Sequence, residues 1–455
     1  MSGAPAVSGT ACGSGLFARR AALWVLEKAR APRSVLAELF AAAERHYMLQ
    51  APDRALMRAI VLACLKERRI LDRVLRRLMD RPLKARHSRI RHILHMGLAQ
   101  LLVLEIPPHA AVSTAVALAR EGDVRSRPLA GLVNAVLRRA ARERDLLAEW
   151  CAGQDPLALL PDWLAARWRA NLGESRARAI AAVMRRPAPL DLVARDPAAA
   201  GRLRADLNAL PLPGGVLRLA EPTDVRALPG YEEGLFWVQD WAATLPARLL
   251  DSALRARGHA PADGPVVDLC AAPGGKSAQL AAAGWKVLAV DRSPARLARL
   301  ARNMRRLRLH AQLVAADAAT FALARPVPGL LLDAPCSATG TLRRHPDIAF
   351  KRGPRDIAEL AAAQRALLDN AARLVAPGGV LVYAVCSLEP EEGAEQIAAF
   401  LARHPGFRRL PVAREEVFGL EEALTPAGDV LTHPALLAEE GGIDGFFVAR
   451  LVRAA

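Results

Sequence analysis

Two cysteines in the C-terminal half of the chain could act as nucleophiles. Cys336 lies in the run Asp333–Gly340, of sequence DAPCSATG, and Cys386 lies in Val382–Ser387, of sequence VYAVCS. Cys336 comes after one predicted strand and Cys386 at the end of the next, so neighbouring strands would bring both thiols to one pocket. A single buried cysteine usually serves only as a small apolar residue. A pair beside a cofactor pocket favours covalent catalysis, in which a thiolate attacks an electron-poor carbon.

A third run, Asp268–Ser277 with the sequence DLCAAPGGKS, is predicted to turn a strand into a helix. Gly274 and Gly275 would let the backbone approach a ligand closely, because glycine has no Cβ. The last residues resemble the end of a nucleotide-binding P-loop, but Cys270 stands where that motif needs its first glycine. The chain also lacks a GxGxxG motif, so an ATP or nicotinamide enzyme is a disfavoured alternative.

Carboxylates occur at the ends of three successive predicted strands. Asp291 ends the second strand, Asp317 follows the third, and Asp333 ends the fourth. An acid at the end of the second strand is where such sheets hold ribose hydroxyls. We therefore expect one polar pocket for a ligand with ribose, amine and base groups. No His, Cys and Asp residues have the spacing of metal ligands, so no metal is expected.

These residues lie in a region, from Pro265 onward, where strands and helices alternate. The predicted strands are Val266–Cys270, Lys286–Asp291, Ala311–Ala315, Leu330–Asp333 and Val380–Val385, with helices over Ala295–Leu307 and Ile357–Leu374. This alternation predicts an α/β fold with a parallel, doubly wound sheet and right-handed crossovers. Ligands bind beyond the carboxyl ends of the strands in such sheets, which is where the cysteines and acids are expected.

The first part of the chain is predicted to be a bundle of helices. Leu71, Val74, Leu75 and Leu78 follow the spacing of a buried helix face, with arginines elsewhere on the turn. Further helical stretches are predicted over Leu56–Leu65, Ile90–Leu104, Ala111–Ala119 and Leu129–Arg139.

Changes in pattern along the chain predict several domains. We expect a disordered tail at residues 1–16, an all-α helical domain at 17–145, a small mixed α/β middle domain at 146–262 and the α/β domain at 263–455. In the middle domain, Trp163 and Trp168 lie in one helical stretch, and Trp237–Leu254 gives a second helical signal. The tryptophans are expected to pack in cores, since each lies within apolar periodicity.

The charge of the chain is concentrated at its N-terminal end. The net charge is +17, and residues 1–150 contain 26 basic and 13 acidic side chains. Such an excess in one region predicts binding to a polyanion, most simply a nucleic acid. Codon bias is the alternative, because only six of the 63 basic residues are lysine. Codon bias explains the preference for arginine better than it explains the asymmetry.

Composition excludes several broad classes of protein. Hydrophobic residues make up 52% of the 455 residues and charged residues 24%, which excludes global disorder. The apolar runs are too short for a membrane-spanning helix, and the N-terminus does not have the pattern of a secretory signal. Six cysteines without a CxxC pair argue against a disulfide scaffold or a structural zinc site. We expect a protein of the reducing cytoplasm.

Three runs of residues resemble the motifs of a known family. Asp268–Ser277, Asp333–Gly340 and Tyr383–Ser387 resemble those of the S-adenosylmethionine-dependent RNA (cytosine-carbon-5) methyltransferases, the NOL/NOP2/Sun family. Gly340–Ile348 and Asp444–Arg450 are also similar to that family. The N-terminal helical part, with Leu132–Arg138, is similar to the RNA-binding domain of the antitermination factor NusB. The combination implies a Rossmann-like methyltransferase domain, preceded by a NusB-like domain, that acts on 16S rRNA at cytosine 967.

The resemblance also implies roles for individual residues. Cys386 matches the nucleophile of the family, and Cys336 matches its product-releasing cysteine. The implied contacts with S-adenosylmethionine are Cys270, Ala271, Ala272, Pro273, Gly274, Gly275 and Lys276 at its methionine end, Asp291 at its ribose, Asp317 at its adenine, and Asp333 between it and the target base.

Two positions depart from the family pattern, and two other functions stay open. Val385 stands where threonine commonly precedes the nucleophile, and Leu192–Ala194 stands where the family often has Arg-Val-Asn. The same reaction on tRNA is one alternative, which the NusB-like region disfavours. A non-catalytic rRNA assembly factor is the other, against which the intact cysteines and acids weigh. We expect a monomer that binds free 16S rRNA or an early small-subunit particle, with no membrane partner.

Overall fold

The structure is a computed structural model that describes residues 14–32, 34–219 and 224–455. It divides into two units, which are described separately below. The first unit contains the residues up to Ala166 together with the segment His345–Lys351, and the second contains Arg167–Arg344 and Arg352–Ala455. The division into domains at residues 145 and 262 stays a prediction. Residues 1–13 of the predicted tail lie outside the described residues, whereas Ser14 begins the first helix.

The first unit is built from helices, as the sequence predicts. They are α1 Ser14–Lys28, α2 Leu36–His46, α3 Ala51–Lys66, α4 Arg68–Leu78, α5 Ser88–Leu102, α6 Pro108–Arg120, α7 Ala130–Arg142 and α8 Arg144–Ala152. Helix α4 buries the predicted face formed by Leu71, Val74, Leu75 and Leu78. Helix α5 is buried on almost every side, because apolar residues occupy most positions between Ile90 and Leu101. The other helices pack around it, and their arginines lie mainly on the polar faces.

The second unit begins with a small sheet and its helices. Helix α9 (Asp162–Leu172) crosses the boundary, and it is followed by α10 Glu174–Arg185, β1 Leu190–Ala194, α11 Pro197–Leu207, β2 Leu210–Pro211, β3 Leu217–Leu219, β4 Phe236–Val238 and α12 Trp241–Ala256. The four strands are antiparallel, in the order β2-β3-β1-β4. The helix predicted from Trp237 therefore begins only at Trp241. The first residues of the predicted helix belong instead to β4. The sequence did not reveal this strand, because three residues are too few to show alternation.

The larger sheet of this unit has the predicted Rossmann-like order of elements. They are β5 Val266–Leu269, α13 Gly275–Ala282, β6 Val287–Asp291, α14 Pro294–Leu307, β7 Gln312–Ala315, β8 Val327–Asp333, α15 Pro354–Leu374, β9 Val375–Val385, α16 Ala394–Arg403, β10 Phe407–Arg409, β11 Val430–Leu431 and β12 Phe447–Arg453. Five strands are parallel, in the order β9-β8-β5-β6-β7, with apolar cores on both faces. The predicted fold class is confirmed.

One edge of this sheet differs from the prediction of a purely parallel sheet. Strand β12 lies between β9 and β10 and is antiparallel to both. Its first residues belong to Asp444–Arg450, a run that the sequence marks as a motif but not as a strand. The sheet is therefore mixed, and β9 is paired on both sides. Among the described helices, none has the length and apolarity needed to cross a lipid bilayer.

Candidate active site

The two predicted cysteines meet at the carboxyl ends of neighbouring strands. Strands β8 and β9 are parallel, with Asp333 opposite Ala384, so the loops that follow them leave the sheet side by side. The backbone NH of Gly340 donates to the carbonyl of Cys386, which joins the two loops. The Sγ atoms of Cys336 and Cys386 are 3.4 Å apart, and both cysteines are free.

The environment of the two thiols differs. The hydrogen bond with Cys386 raises the pKa of Cys336 well above its ordinary value, and burial raises it further. A protonated Cys336 can donate a hydrogen bond to the sulfur of Cys386. The contact therefore places the Cys336 thiol directly beside Sγ of Cys386.

The turn between β5 and α13 lies at the same edge of the sheet as the Cys336 loop, because β5 is the parallel neighbour of β8. Cys270 has a φ of 61° and Gly274 a φ of 104°, both in the left-handed region. A Cβ at Gly274 would lie 2.6 Å from Cγ of Leu300, so this position requires glycine. Burial raises the pKa of Cys270 to about 12, which keeps this third cysteine a neutral thiol. Cys270 is thus suited to contact a ligand and not to attack one.

The predicted acids lie along the same edge of the sheet. Asp291, at the end of β6, is buried and accepts hydrogen bonds from the backbone NH groups of Ala272 and Ser293. Asp333 is partly exposed, and its Oδ2 lies 2.7 Å from Nζ of Lys276. Four of the predicted cofactor contacts are therefore joined in two hydrogen-bonded pairs around the β5 turn.

Asp317 stands apart from the other predicted acids. It follows β7, the last strand at this side of the sheet, and it is exposed. Its carboxylate accepts a hydrogen bond of 2.9 Å from the backbone NH of Ala319, within its own turn. Three inter-strand steps separate β8 from β7, or about 14 Å. Asp333, Asp291 and Asp317 therefore line an extended edge, as a long ligand would need.

The acids at this edge of the sheet suit a cationic ligand that carries hydroxyl groups. The carboxylate of Asp268, at the end of β5, is fully buried and accepts a 2.6 Å hydrogen bond from Ser277, but its Oδ1 has no partner among the described residues. Burial, reinforced by the negative charge of nearby Asp333, raises the pKa of Asp268 to about 7. Several acids in one partly buried place are stabilised by a bound positive charge, such as a sulfonium.

A buried ion network that the sequence did not predict supports the Cys336 loop. Arg343 donates to Asp444 and Asp240 at 2.7 Å each, and Arg344 contacts the same two acids. Burial disfavours the charged form of Asp240, but the two arginines outweigh burial and hold its pKa below the ordinary range. The signal in the sequence was Gly340–Ile348, a run that resembled the family without a residue role.

A second feature missed by the sequence lies directly behind the cysteines. Glu392 is completely buried and accepts hydrogen bonds from the backbone NH and the hydroxyl of Ser337. It also accepts from the hydroxyl of Ser387 and from Nε2 of Gln364. Tyr383 closes the cluster, because its hydroxyl donates to the carbonyl of Glu392 at 2.7 Å. The only sequence signal was an acidic run after Cys386.

The two departures from the family pattern have clear positions in the structure. Val385 is buried at the end of β9 and lies opposite Phe447 of β12. Leu192 and Val193 are buried in β1, and Ala194 lies opposite Phe236 of β4. The chain therefore has apolar sheet packing at both places.

Comparison with known proteins assigns both parts of the chain. Residues 259–452 match the family model described as 16S rRNA methyltransferase RsmB/F, and residues 17–142 match the NusB family. A ribosomal RNA small subunit methyltransferase B from Pseudomonas putida is 40% identical over 422 residues, which is 89% of this chain and 91% of that protein. One of the same name from Yersinia pestis bv. Antiqua (strain Angola) is 36% identical over 452 residues, covering 96% and 98%.

A solved structure shows the same fold over the whole length. The crystal structure of PH0851 matches with a TM-score of 0.71 and 22% identity, covering 98% of this chain and 99% of that one. The long curated relatives, the two family models and the shared fold agree in one assignment. The chain belongs to the RsmB/F family of S-adenosylmethionine-dependent small-subunit rRNA methyltransferases, with a NusB-family region before the methyltransferase region.

Proposed function

We propose that this protein transfers a methyl group from S-adenosylmethionine to carbon 5 of a cytosine in 16S rRNA, through a covalent adduct between Cys386 and carbon 6. The observation that carries the proposal is the pair of thiols 3.4 Å apart at the ends of two adjacent parallel strands. The names of the curated relatives support small-subunit rRNA as the substrate.

The first step needs a nucleophile because carbon 5 of cytosine is unreactive toward a methyl cation equivalent. The thiolate of Cys386 forms a bond to carbon 6, and the electron pair of the carbon 5–carbon 6 double bond then makes carbon 5 nucleophilic. When bound, S-adenosylmethionine supplies an electrophilic methyl group. The contact with Cys336 holds Sγ of Cys386 in position for this attack.

Asp333 is the group that we assign to the target base. Its carboxyl group stands at the end of β8, three positions before Cys336, and Lys276 holds it in place. A hydrogen bond between this carboxyl group and ring nitrogen 3 stabilises the charge that develops when Cys386 adds.

The release of the product is the step that we assign to Cys336. After carbon 5 has been methylated, its proton passes to solvent water and the electron pair of the broken carbon–hydrogen bond re-forms the carbon 5–carbon 6 double bond, while the bond between carbon 6 and Sγ of Cys386 breaks. The electron pair returns to Cys386, and the Cys336 thiol donates a hydrogen bond to the departing sulfur. Because the target base must leave its stack to reach the pocket, a loop or unfolded rRNA suits this site better than a closed duplex.

The two cysteine variants test this assignment most directly. Cys386→Ala should lose turnover by more than about 10³-fold, since no adduct can form without its thiol. Cys336→Ala should attack and methylate, yet retain the RNA, so it should accumulate a covalent complex that survives denaturing gel electrophoresis. The measurement is incubation with S-adenosylmethionine and 16S rRNA from a strain lacking the gene, followed by denaturing gels and bisulfite mapping. A complex with Cys386→Ala and none with Cys336→Ala would reverse the roles.

The same experiment separates the alternative functions. A tRNA substrate would give the complex with tRNA and not with 16S rRNA. A non-catalytic assembly factor would bind rRNA without a complex in either variant and without any new methylated cytosine in the bisulfite map.

A further inference from the structure

The two cysteine loops are tied together by one buried carboxylate. Ser337 directly follows Cys336, and Ser387 directly follows Cys386. Oε2 of Glu392 accepts a 2.5 Å hydrogen bond from the hydroxyl of each serine, and Oε1 accepts from the backbone NH of Ser337 at 2.8 Å. The acid therefore contacts both loops at the residue next to the thiol.

No cation neutralises this carboxylate. Among the described residues, no lysine, arginine or histidine lies within salt-bridge distance of Glu392, and its remaining partner is Nε2 of Gln364 at 3.1 Å. Removing an ionised carboxylate from water is costly unless it is fully hydrogen-bonded, as this one is. A neutral amide could hold a turn with similar bonds and at lower cost. Holding the loops alone does not require the charge.

The two cysteine loops are also joined directly to each other by hydrogen bonds. The hydroxyl groups of Ser337 and Ser387 are 3.1 Å apart, and the hydroxyl of Thr339 lies 3.3 Å from that of Ser387. Thr339 also accepts from the backbone NH of Leu388. All of these side chains are buried, so the cluster has few alternative arrangements.

We propose that Glu392 is a positioning residue of the methyl transfer, whose buried carboxylate joins the two cysteine loops by hydrogen bonds and whose negative charge acts on the adjacent Cys336. This inference rests on the proposed function. The carboxylate acts on Cys336 through Ser337 and through space, and it touches neither substrate nor cofactor. Its negative charge is one of the causes that raise the pKa of Cys336, after the hydrogen bond with Cys386 and burial.

Two substitutions of Glu392 separate its geometry from its charge. Glu392→Gln keeps the size and lets the serine hydroxyls rotate to accept from the new amide, so both loops should stay in place. Without the negative charge, Cys336 should lose its proton at lower pH, since one cause of its raised pKa is gone. Glu392→Ala removes the connection itself, and kcat should fall about 10²-fold with little change in KM for S-adenosylmethionine. The matched control is Glu395→Gln, an exposed acid three positions further on.

The decisive measurement needs no RNA. The full-length wild type, Glu392→Gln and Glu395→Gln are alkylated with iodoacetamide across a pH series, and modification of Cys336 is followed by peptide mass spectrometry. We expect the midpoint for Cys336 to move to lower pH in Glu392→Gln only. With RNA, the covalent complex should begin to accumulate at lower pH in that variant, because release needs a protonated Cys336.

The outcomes distinguish this inference from the proposed function. If Glu392→Gln is folded and its Cys336 midpoint equals that of the wild type, the inference is overturned, whatever happens to Glu392→Ala. A normal kcat in a folded Glu392→Ala would overturn it as well. If no variant of either cysteine ever forms an RNA complex, the proposed function fails, while a shifted alkylation midpoint would still support the electrostatic role of Glu392.

Discussion

Arginine is used differently in the two units of the molecule. Apart from the buried Arg19, the described arginines of the first unit are at least partly exposed, as in the pair of Arg20 with Glu121, whose side chains are 31% and 37% exposed. In the second unit, Arg343 is 1% exposed and joins two buried acids. Exposed pairs contribute little individually, whereas a buried charge without its partner is strongly destabilising. Surface arginines therefore act by their number, and buried ones act by their position.

The largest expected effect is on the free energy of unfolding, and it is seen by replacing one arginine of each unit with methionine. Arg343→Met should lower the free energy of unfolding of the full chain by about 3–5 kcal/mol, because Asp240 and Asp444 lose a buried partner. Arg20→Met should lower it by less than about 1 kcal/mol. Denaturant titration of both variants measures the difference. Equal losses would contradict the distinction between the two arginine populations.

An intermediate effect is expected for the acids that we assign to cofactor binding. Asp291→Ala should weaken S-adenosylmethionine binding by about 1–3 kcal/mol, because a buried carboxylate holds its hydrogen-bond acceptors in fixed positions. The exposed Asp317 should matter less, so Asp317→Ala should cost under about 1 kcal/mol. Isothermal titration calorimetry on the folded variants gives both values. Unchanged affinity in Asp291→Ala would remove this residue from the site.

The smallest effect per residue is expected for the surface of the first unit. Replacing Arg76, Arg81 and Arg125 with Gln in the full chain should flatten the dependence of RNA affinity on salt. The slope should fall by about 0.7 for each phosphate group that an arginine no longer neutralises. The control replaces three exposed arginines of the second unit, namely Arg355, Arg365 and Arg408. Filter binding over a salt series measures both slopes, and identical slopes in the two triple variants would favour codon bias as the origin of the charge.

The sequence predicted the strands of the parallel sheet well because most of them are buried on both faces. The predicted and observed bounds of β6, which is buried along its whole length, differ by one residue, and the strand ends at Asp291 as predicted. The pairing of Cys336 with Cys386 could also be expected, because the carboxyl ends of parallel neighbours meet.

What the sequence could not show depends on interactions between distant residues. Nothing in the local sequence distinguishes Glu392 from the neighbouring Glu391, yet of the two only Glu392 is completely buried. One of the residues that contact it in the fold is Ser337, which is 55 positions away in the sequence. Strand β12 was missed for the same reason. Its antiparallel place beside β9 is decided by the free edge of the sheet and not by its own alternation.

The place of β12 has a consequence for the synthesis of the protein. Strand β9, which ends beside Cys386, leaves the ribosome roughly 60 residues before its partner β12, or about 3–12 s earlier at ordinary elongation rates. During that interval one edge of β9 has no strand to pair with, and unpaired apolar edges invite association with other chains. The nascent chain must therefore pass through a stage in which Cys386 is already made while the sheet around it is still open.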